Sequence, residues 1–324
     1  MPPAPQKKRP EAPAPDGMIW IAGGSFTMGS DRFYPEEAPS RPVAVDGFWM
    51  DATPVTNRQF ADFVDATGHR TAAEIAPDPK DYPGMLPDMA RAGSLVFHRT
   101  AGPVDTADLG QWWGYEFGAD WRHPVGGAQD LDVLELWDHP VVHVAYADAA
   151  AYAAWAGKDL PTEAEFEFAA RGGLDNRDYA WGDELAPGGA MLANYWQGLF
   201  PFANQVLDGW ERTSPVGTFP ANGYGLSDMI GNVWEWTRDW WGDRTRDKQP
   251  TRSCCTIRNP RGARLKDSFD PNQQGRRFGR KVIKGGSHLC APNYCQRYRP
   301  AARQPETIDT STSHIGFRCV IRRS

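Results

Sequence analysis

Glycine and proline recur so often along this chain, 33 and 28 times in 324 residues, that long regular helices should be few. A chain punctuated this way must fold from short elements joined by loops. Its interior must then rely on large rings, and 14 tryptophans within a 12% aromatic content supply them. The length and a 40% hydrophobic content allow one large domain or two ordinary ones. No internal repeat and no clear linker divides the chain. We therefore expect a single domain over residues 17–324, preceded by a Pro/Ala-rich tail, residues 1–16, which has little to bury and should be disordered.

Local patterns place the elements. Ile19, Ile21 and Phe26 around Gly23 and Gly24 predict a strand and a tight turn, Pro42 to Met50 predicts another strand, and Asp31 to Ser40 between them reads as loop. Thr56 with Gln59 forms a capping box for a short helix whose Phe60, Phe63 and Val64 share one face before Gly68. From Thr71 to Asp138 no sustained periodicity appears, and an irregular excursion of that length is uncommon unless it builds a binding surface. Pro140 to Val144 reads as a strand leading into a helix from Ala149 that glycine ends at 157. A second capping box, Thr162 with Glu165, opens a helix through Phe166, Phe168 and Ala170 to Gly172, and the two helices should pack together, their aromatics serving as core. Residues 241–280 read as a polar surface lid or loop, and strand-like patterns return at Val282-Ile283 and Ile315 to Ile321.

Charge narrows the function. A net charge of −6 gives no general basic face for nucleic acid or an anionic membrane, and the short run Arg276 to Lys281 reads as a solvated loop. No apolar segment approaches the ~20 residues that span a bilayer. The opening residues lack an apolar signal core, so we expect a cytoplasmic protein. Five cysteines are too few for a disulfide framework.

Chemistry concentrates in Gly285-Gly286-Ser287-His288-Leu289-Cys290-Ala291-Pro292-Asn293-Tyr294-Cys295-Gln296-Arg297-Tyr298-Arg299. Four residues separate the two cysteines, and Pro292 and Asn293 favour a turn that could bring the sulfurs together. Converging thiols can form a disulfide, hold a soft metal or act as a redox pair, and spacing alone does not choose among these. A second cluster of oxygen donors, Asn194, Asp208, Asn222, Asp228, Asn232 and Glu235, lies among glycines and tryptophans. Such residues are common turn formers, and no EF-hand pattern accompanies them.

Several of these segments combine into a pattern. Gly231-Asn232-Val233-Trp234-Glu235-Trp236, Gly285-Gly286-Ser287 with Cys290 and Cys295, and Gly316-Phe317-Arg318-Cys319 together resemble the formylglycine-generating enzyme family, also called sulfatase-modifying factors. Gly23 to Ser30 and Leu160 to Glu165 look like the wider superfamily, and the resemblance runs from about Met18 to the C-terminus. It implies an irregular, loop-rich α+β fold of C-type-lectin kinship. It also implies an oxidoreductase that uses molecular oxygen to convert the cysteine of an unfolded sulfatase Cys-x-Pro-x-Arg segment to Cα-formylglycine.

By that resemblance Cys290 and Cys295 would hold Cu(I), a soft ion suited to thiolates, while Ser287 and Trp234 would line the pocket for oxygen and the substrate thiol, with Tyr294 nearby. Structural calcium would take Asn194, the Tyr195 carbonyl, Asp208 and the Trp210 carbonyl at one site. Asp228, the Gly231 and Val233 carbonyls and Glu235 would form the other. Ala153, Ala170 and Pro300 stand where eukaryotic relatives carry structural cysteines, which leaves Cys319 without its usual partner.

Rival readings are an iron-dependent sulfoxide synthase of the same superfamily, and a lectin-like binding module or catalytically silent paralogue. The first would want clustered histidines. His139 and His143 come nearest, but Pro140 argues against a shared helical face and structural roles suit both better. The second would need the fold without both thiols.

Overall fold

The computed structural model describes residues 13–244, 256–272 and 278–322. Most of the expected tail, adjacent Cys254 and Cys255, and Arg276-Arg277 lie outside the described residues. The N-terminal strands are β1 (Met18–Ile21), β2 (Gly24–Met28), β3 (Arg41–Val45) and β4 (Phe48–Asp51), followed by helix α1 (Asn57–Thr67). The middle holds β5 (Gly93–Phe97), β6 (Trp113–Phe117), α2 (Tyr146–Trp155), α3 (Glu163–Ala170), β7 (Gly198–Leu199) and β8 (Ala203–Asn204). The last third contributes β9 (Trp234–Trp240), β10 (Ile257–Arg258), β11 (Arg280–Lys284), β12 (Arg303–Thr307), β13 (Ile315–Gly316) and β14 (Val320–Arg322).

These strands form small sheets ordered β1-β4-β14, β10-β3-β2 and β12-β11-β9-β13, with hairpins β5-β6 and β7-β8. The first ties the two ends of the domain together, since Met50 pairs with Ile19 on one side and Val320 on the other. The expected single strand from Pro42 to Met50 is two strands in separate sheets. A Cβ at Gly47 would sit 2.5 Å from the Trp20 ring, so the chain turns where only glycine fits. The expected lid or loop over residues 241–280 also carries structure, because β10 pairs in parallel with β3.

Both capping boxes form as expected. Thr56 Oγ1 accepts from Gln59 N at 3.2 Å and Gln59 Oε1 accepts from Thr56 N at 2.9 Å; the Thr162–Glu165 pair does the same at 3.1 and 2.7 Å. Gly68, at φ +67°, ends α1 in the left-handed conformation. Helix α2 starts at Tyr146, earlier than its alanine run, because Asp148 Oδ2 accepts from Ala145 N and so caps it from inside the first turn.

Two expectations are corrected. Residues 140–144 form no strand, since His143 at φ +60° breaks the extension and its imidazole bonds Ser94 Oγ and the Pro124 carbonyl. The two later helices do not share a core. Helix α2 packs Tyr152 against Phe60 and Phe63 of α1, with the Phe63–Tyr152 rings 5.6 Å apart, whereas α3 belongs to a second core with Phe26, Met50 and Val320. Burying each such side chain contributes about 1.5–3 kcal/mol.

The four-stranded sheet is braced by buried ion pairs. Lys284 meets Glu167 at 3.0 Å, Arg303 meets Glu163 at 2.6 Å and Arg318 meets Glu235 at 2.8 Å, all with nearly inaccessible side chains. Breaking one such pair by removing a partner costs about 3–5 kcal/mol, because the remaining charge is stranded. These pairs anchor the frame that carries the cysteine loop.

Candidate active site

The cysteine loop leaves β11 through Gly285 and Gly286, both at positive φ. A Cβ at Gly286 would lie 2.6 Å from the Arg297 carbonyl, so the start of the loop closes onto its end only with glycine there. Two successive turns follow. Cys290 N donates to the Ser287 carbonyl at 2.9 Å, and Tyr294 N and Cys295 N both donate to the Ala291 carbonyl. They bring Cys290 and Cys295 to an Sγ–Sγ distance of 3.2 Å, both free and only 2% and 8% exposed.

The two sulfurs are electrostatically unequal. Burial pushes the Cys290 thiol well above its ordinary range. Cys295 is lowered to about 6, first because Cys290 hydrogen-bonds its sulfur and then because the Arg297 guanidinium lies beside it, with Nη1 at 3.7 Å. Arg297 is held in turn by Glu36 at 2.5 Å and lies 3.9 Å over the Tyr34 ring. Of the two, Cys295 is the sulfur biased toward the thiolate and Cys290 the one biased toward the thiol.

A cleft of about 420 Å³ opens onto the pair, with Trp112, Trp113 and Phe200 on one wall and Glu306 and Thr310 on another. Of the expected site residues, Ser287, Trp234 and Tyr294 all reach it. Trp234 begins β9, pairs with Ile315 and is 1% exposed. Tyr294 stacks on Phe200 at 4.5 Å, and burial pushes its hydroxyl up to about 12. Ser287 N donates to Cys290 Sγ at 3.4 Å, and its hydroxyl lies 3.2 Å from His314 Nδ1.

The cleft residues His314, Arg297 and Glu306, and Glu36 behind Arg297, carry no motif of their own, although Arg297 lies within the cysteine stretch and His314 directly precedes Ile315-Gly316-Phe317-Arg318. Desolvation by the cleft walls holds the His314 imidazole down to about 3, so it is neutral, and pushes the Glu306 carboxyl up to about 7. The apparently structureless stretch from 71 to 138 contains the β5-β6 hairpin. Leu95 of that hairpin exchanges backbone hydrogen bonds with Ser311 and Ser313, which delivers the tryptophan wall to the cleft.

The paired thiols suit a soft monovalent ion in their donor chemistry. At the first proposed calcium set, Asn194 Oδ1 is a buried acceptor with no hydrogen-bond partner, and burial raises the nearby Asp208 carboxyl. An orphaned amide oxygen beside a desolvated carboxylate fits a hard cation that takes oxygen ligands, with Gln197 Nε2 donating to both Asp208 Oδ2 and the Tyr195 carbonyl. The second set is arranged differently. Both Glu235 oxygens accept from Arg318, and Asp228 Oδ2 accepts from Gly217 N at 2.7 Å, so this carboxylate already has its cation.

Both ring nitrogens of His143 are hydrogen-bonded, and His139 Nδ1 lies 3.0 Å from Thr213 Oγ1. Among the described residues no three His, Cys, Asp or Glu side chains converge. Cys319 is a fully buried free thiol.

Fold and site together define a loop-rich α+β protein in which a reduced, buried cysteine pair floors an aromatic cleft. The sulfatase-modifying factor enzyme 1-like domain matches residues 3–323, and the chain belongs to that family. A Mycobacterium tuberculosis protein named formylglycine-generating enzyme is 54% identical over 303 residues, covering 94% of this chain and 97% of its own. One of the same name from Streptomyces coelicolor is 44% identical over 314 residues, covering 94% and 88%. Among solved structures, PvdO from Pseudomonas aeruginosa superimposes with a TM-score of 0.59 at 23% identity, covering 94% of each chain, which shows the fold alone. The irregular α+β architecture of C-type-lectin kinship is thus the one this chain adopts.

Proposed function

We propose that this chain generates formylglycine, oxidising the cysteine of an unfolded sulfatase Cys-x-Pro-x-Arg segment with molecular oxygen. The observation that carries this reading is the reduced Cys290–Cys295 pair, 3.2 Å apart, at the floor of an open cleft. A disulfide or a solvent-exposed thiol would serve poorly, whereas a buried thiol–thiolate pair suits Cu(I). Bound there, copper would supply the one-electron chemistry that a closed-shell thiol and ground-state oxygen lack together.

The chain's own groups do the rest. Cys290 and Arg297 bias Cys295 toward its thiolate, Trp234 and the tryptophan wall line the cleft, and Ser287 presents a hydroxyl beside the thiols. The incoming cysteine enters an open cleft rather than a closed chamber, which suits an extended segment and not a folded protein. Peptidyl CH2SH and dioxygen, with two equivalents of an external thiol, give the peptidyl aldehyde, hydrogen sulfide, water and the external disulfide. The substrate supplies two electrons, the external thiols two, and dioxygen accepts four.

Calcium belongs to the same proposal at Asn194, the Tyr195 carbonyl, Asp208 and the Trp210 carbonyl, on the strength of the orphaned Asn194 oxygen. At Asp228, Gly231, Val233 and Glu235 a calcium ion would have to share a carboxylate with Arg318. No helix among the described residues is long and apolar enough to cross a membrane. A cytoplasmic location belongs to the same proposal, on the strength of five cysteines being too few for a disulfide framework.

The test is mass spectrometry of a Cys-x-Pro-x-Arg peptide incubated with the protein, copper, oxygen and a thiol. The aldehyde should form, with hydrogen sulfide released. A peptide carrying serine at the cysteine position should remain unchanged, because a hydroxyl ligates Cu(I) poorly. Equal conversion of that peptide, or none of the cysteine peptide, rejects the proposal.

A further inference from the structure

Ser287 is tied to the thiol loop, but a hydroxyl rotates about its C–O bond unless its neighbours stop it. It offers one donor and two acceptor directions. One lone pair accepts from Leu289 N at 3.3 Å, and a second direction meets His314 Nδ1 at 3.2 Å. That leaves one. Ser287 lines the cleft floor although it is fully buried, so the remaining direction is the one left for a molecule that reaches the floor.

His314 is itself held in place. Its carbonyl accepts from Trp234 N at 2.9 Å, its N–H donates to Thr312 Oγ1 at 3.4 Å, and the Trp113 ring meets its imidazole edge-on at 4.8 Å. The next residue, Ile315, is the strand partner of Trp234. The imidazole is thereby fixed to the same sheet edge that presents Trp234.

We propose that His314 is a positioning residue that locks the Ser287 hydroxyl, so that its one free hydrogen-bonding direction faces the space over Cys290 and Cys295. The claim holds for either imidazole tautomer. If Nδ1 accepts, Ser287 offers a lone pair to the cleft; if Nδ1 donates, Ser287 offers its hydrogen. In both cases removing the imidazole frees the rotor without removing a thiol. The inference rests on the formylglycine reading for its kinetic readout, and its second readout does not.

The kinetic arm compares wild type, His314→Ala, His314→Asn, Ser287→Ala and the His314→Ala/Ser287→Ala double variant on the Cys-x-Pro-x-Arg peptide. His314→Ala should lower kcat roughly tenfold or more, with peptide KM and Cu(I) Kd changed by less than about twofold. His314→Asn, whose amide can still meet the hydroxyl, should recover part of that loss. The double variant should be no slower than Ser287→Ala alone, since two residues acting as one unit are not additive. In the second arm, 15N NMR of the metal-free protein should show the His314 Nδ1 resonance shifting on Ser287→Ala. An unchanged kcat in His314→Ala, losses that multiply in the double variant, a parallel loss of Cu(I) affinity, or an Nδ1 resonance indifferent to Ser287 would each overturn the proposal. If His314→Ala fails to melt cooperatively, His314→Asn and the NMR arm decide. A wild-type protein that converts no peptide rejects the functional reading instead, and the NMR arm alone then decides whether His314 holds Ser287.

Discussion

Glu36 and Arg297, 261 positions apart in the chain, form a 2.5 Å ion pair that holds the guanidinium 3.7 Å from the Cys295 sulfur. The contact makes a remote loop part of the thiol site. It predicts that Arg297→Met and, more weakly, Glu36→Gln move the pH profile of Cys295 alkylation in the metal-free protein upward. In the wild type that profile should inflect near 6, below the ordinary thiol range, because hydrogen bonding from Cys290 and the Arg297 charge both favour the thiolate. An inflection unmoved in Arg297→Met would assign the effect to Cys290 alone.

Cys290→Ser and Cys295→Ser should each abolish peptide conversion and stoichiometric Cu(I) binding while keeping a cooperative thermal melt. The sulfurs are free thiols, so neither substitution cuts a covalent cross-link. Loss of the melt in both variants would show that the pair holds the fold rather than a metal.

Calcium should raise the melting temperature, and a chelator should lower it. Binding only the folded state adds about 2.7 kcal/mol at a hundredfold excess over Kd. Asn194→Ala and Asp208→Asn should remove the calcium-dependent increment. Glu235→Gln should destabilise the protein by stranding Arg318, yet keep the increment. If Glu235→Gln instead erases it, the second site holds the ion and shares its carboxylate with Arg318.

The Glu306 carboxyl, pushed up to about 7 by burial against a reference of 4.5, gives a pH signature with a definite sign. The folded state binds this proton more tightly than the unfolded state. Its contribution to stability is therefore fully present below pH 4.5 and is lost as pH rises through about 7. Glu306→Gln lacks that loss. Urea denaturation at pH 8 should find the variant more stable than wild type by about 1–2 kcal/mol, discounted because the side chain is only partly buried. The difference should vanish near pH 4. A variant less stable than wild type at pH 8 would mean that ionised Glu306 has a cationic partner, with Arg280 the first candidate.

What the sequence determined by itself is what neighbouring residues settle among themselves. The helix starts at Thr56 and Thr162 are legible because a capping box closes within four residues, and the Cys290–Cys295 turn is legible because Pro292 and Asn293 disfavour anything else. Ser287 and Trp234 are legible only through the family resemblance, and the fold brings them with the cysteine pair to one cleft. Tertiary structure alone decided the rest. Gly47 breaks a readable strand because the Trp20 ring crosses it, and Glu235 meets Arg318 across 83 positions. His314 reaches Ser287 across 27, and only folding sets Glu36 behind the Arg297 guanidinium that lies beside the Cys295 sulfur. These interactions leave no local pattern, because their strength comes from desolvation, and desolvation exists only once distant segments have closed around the pair.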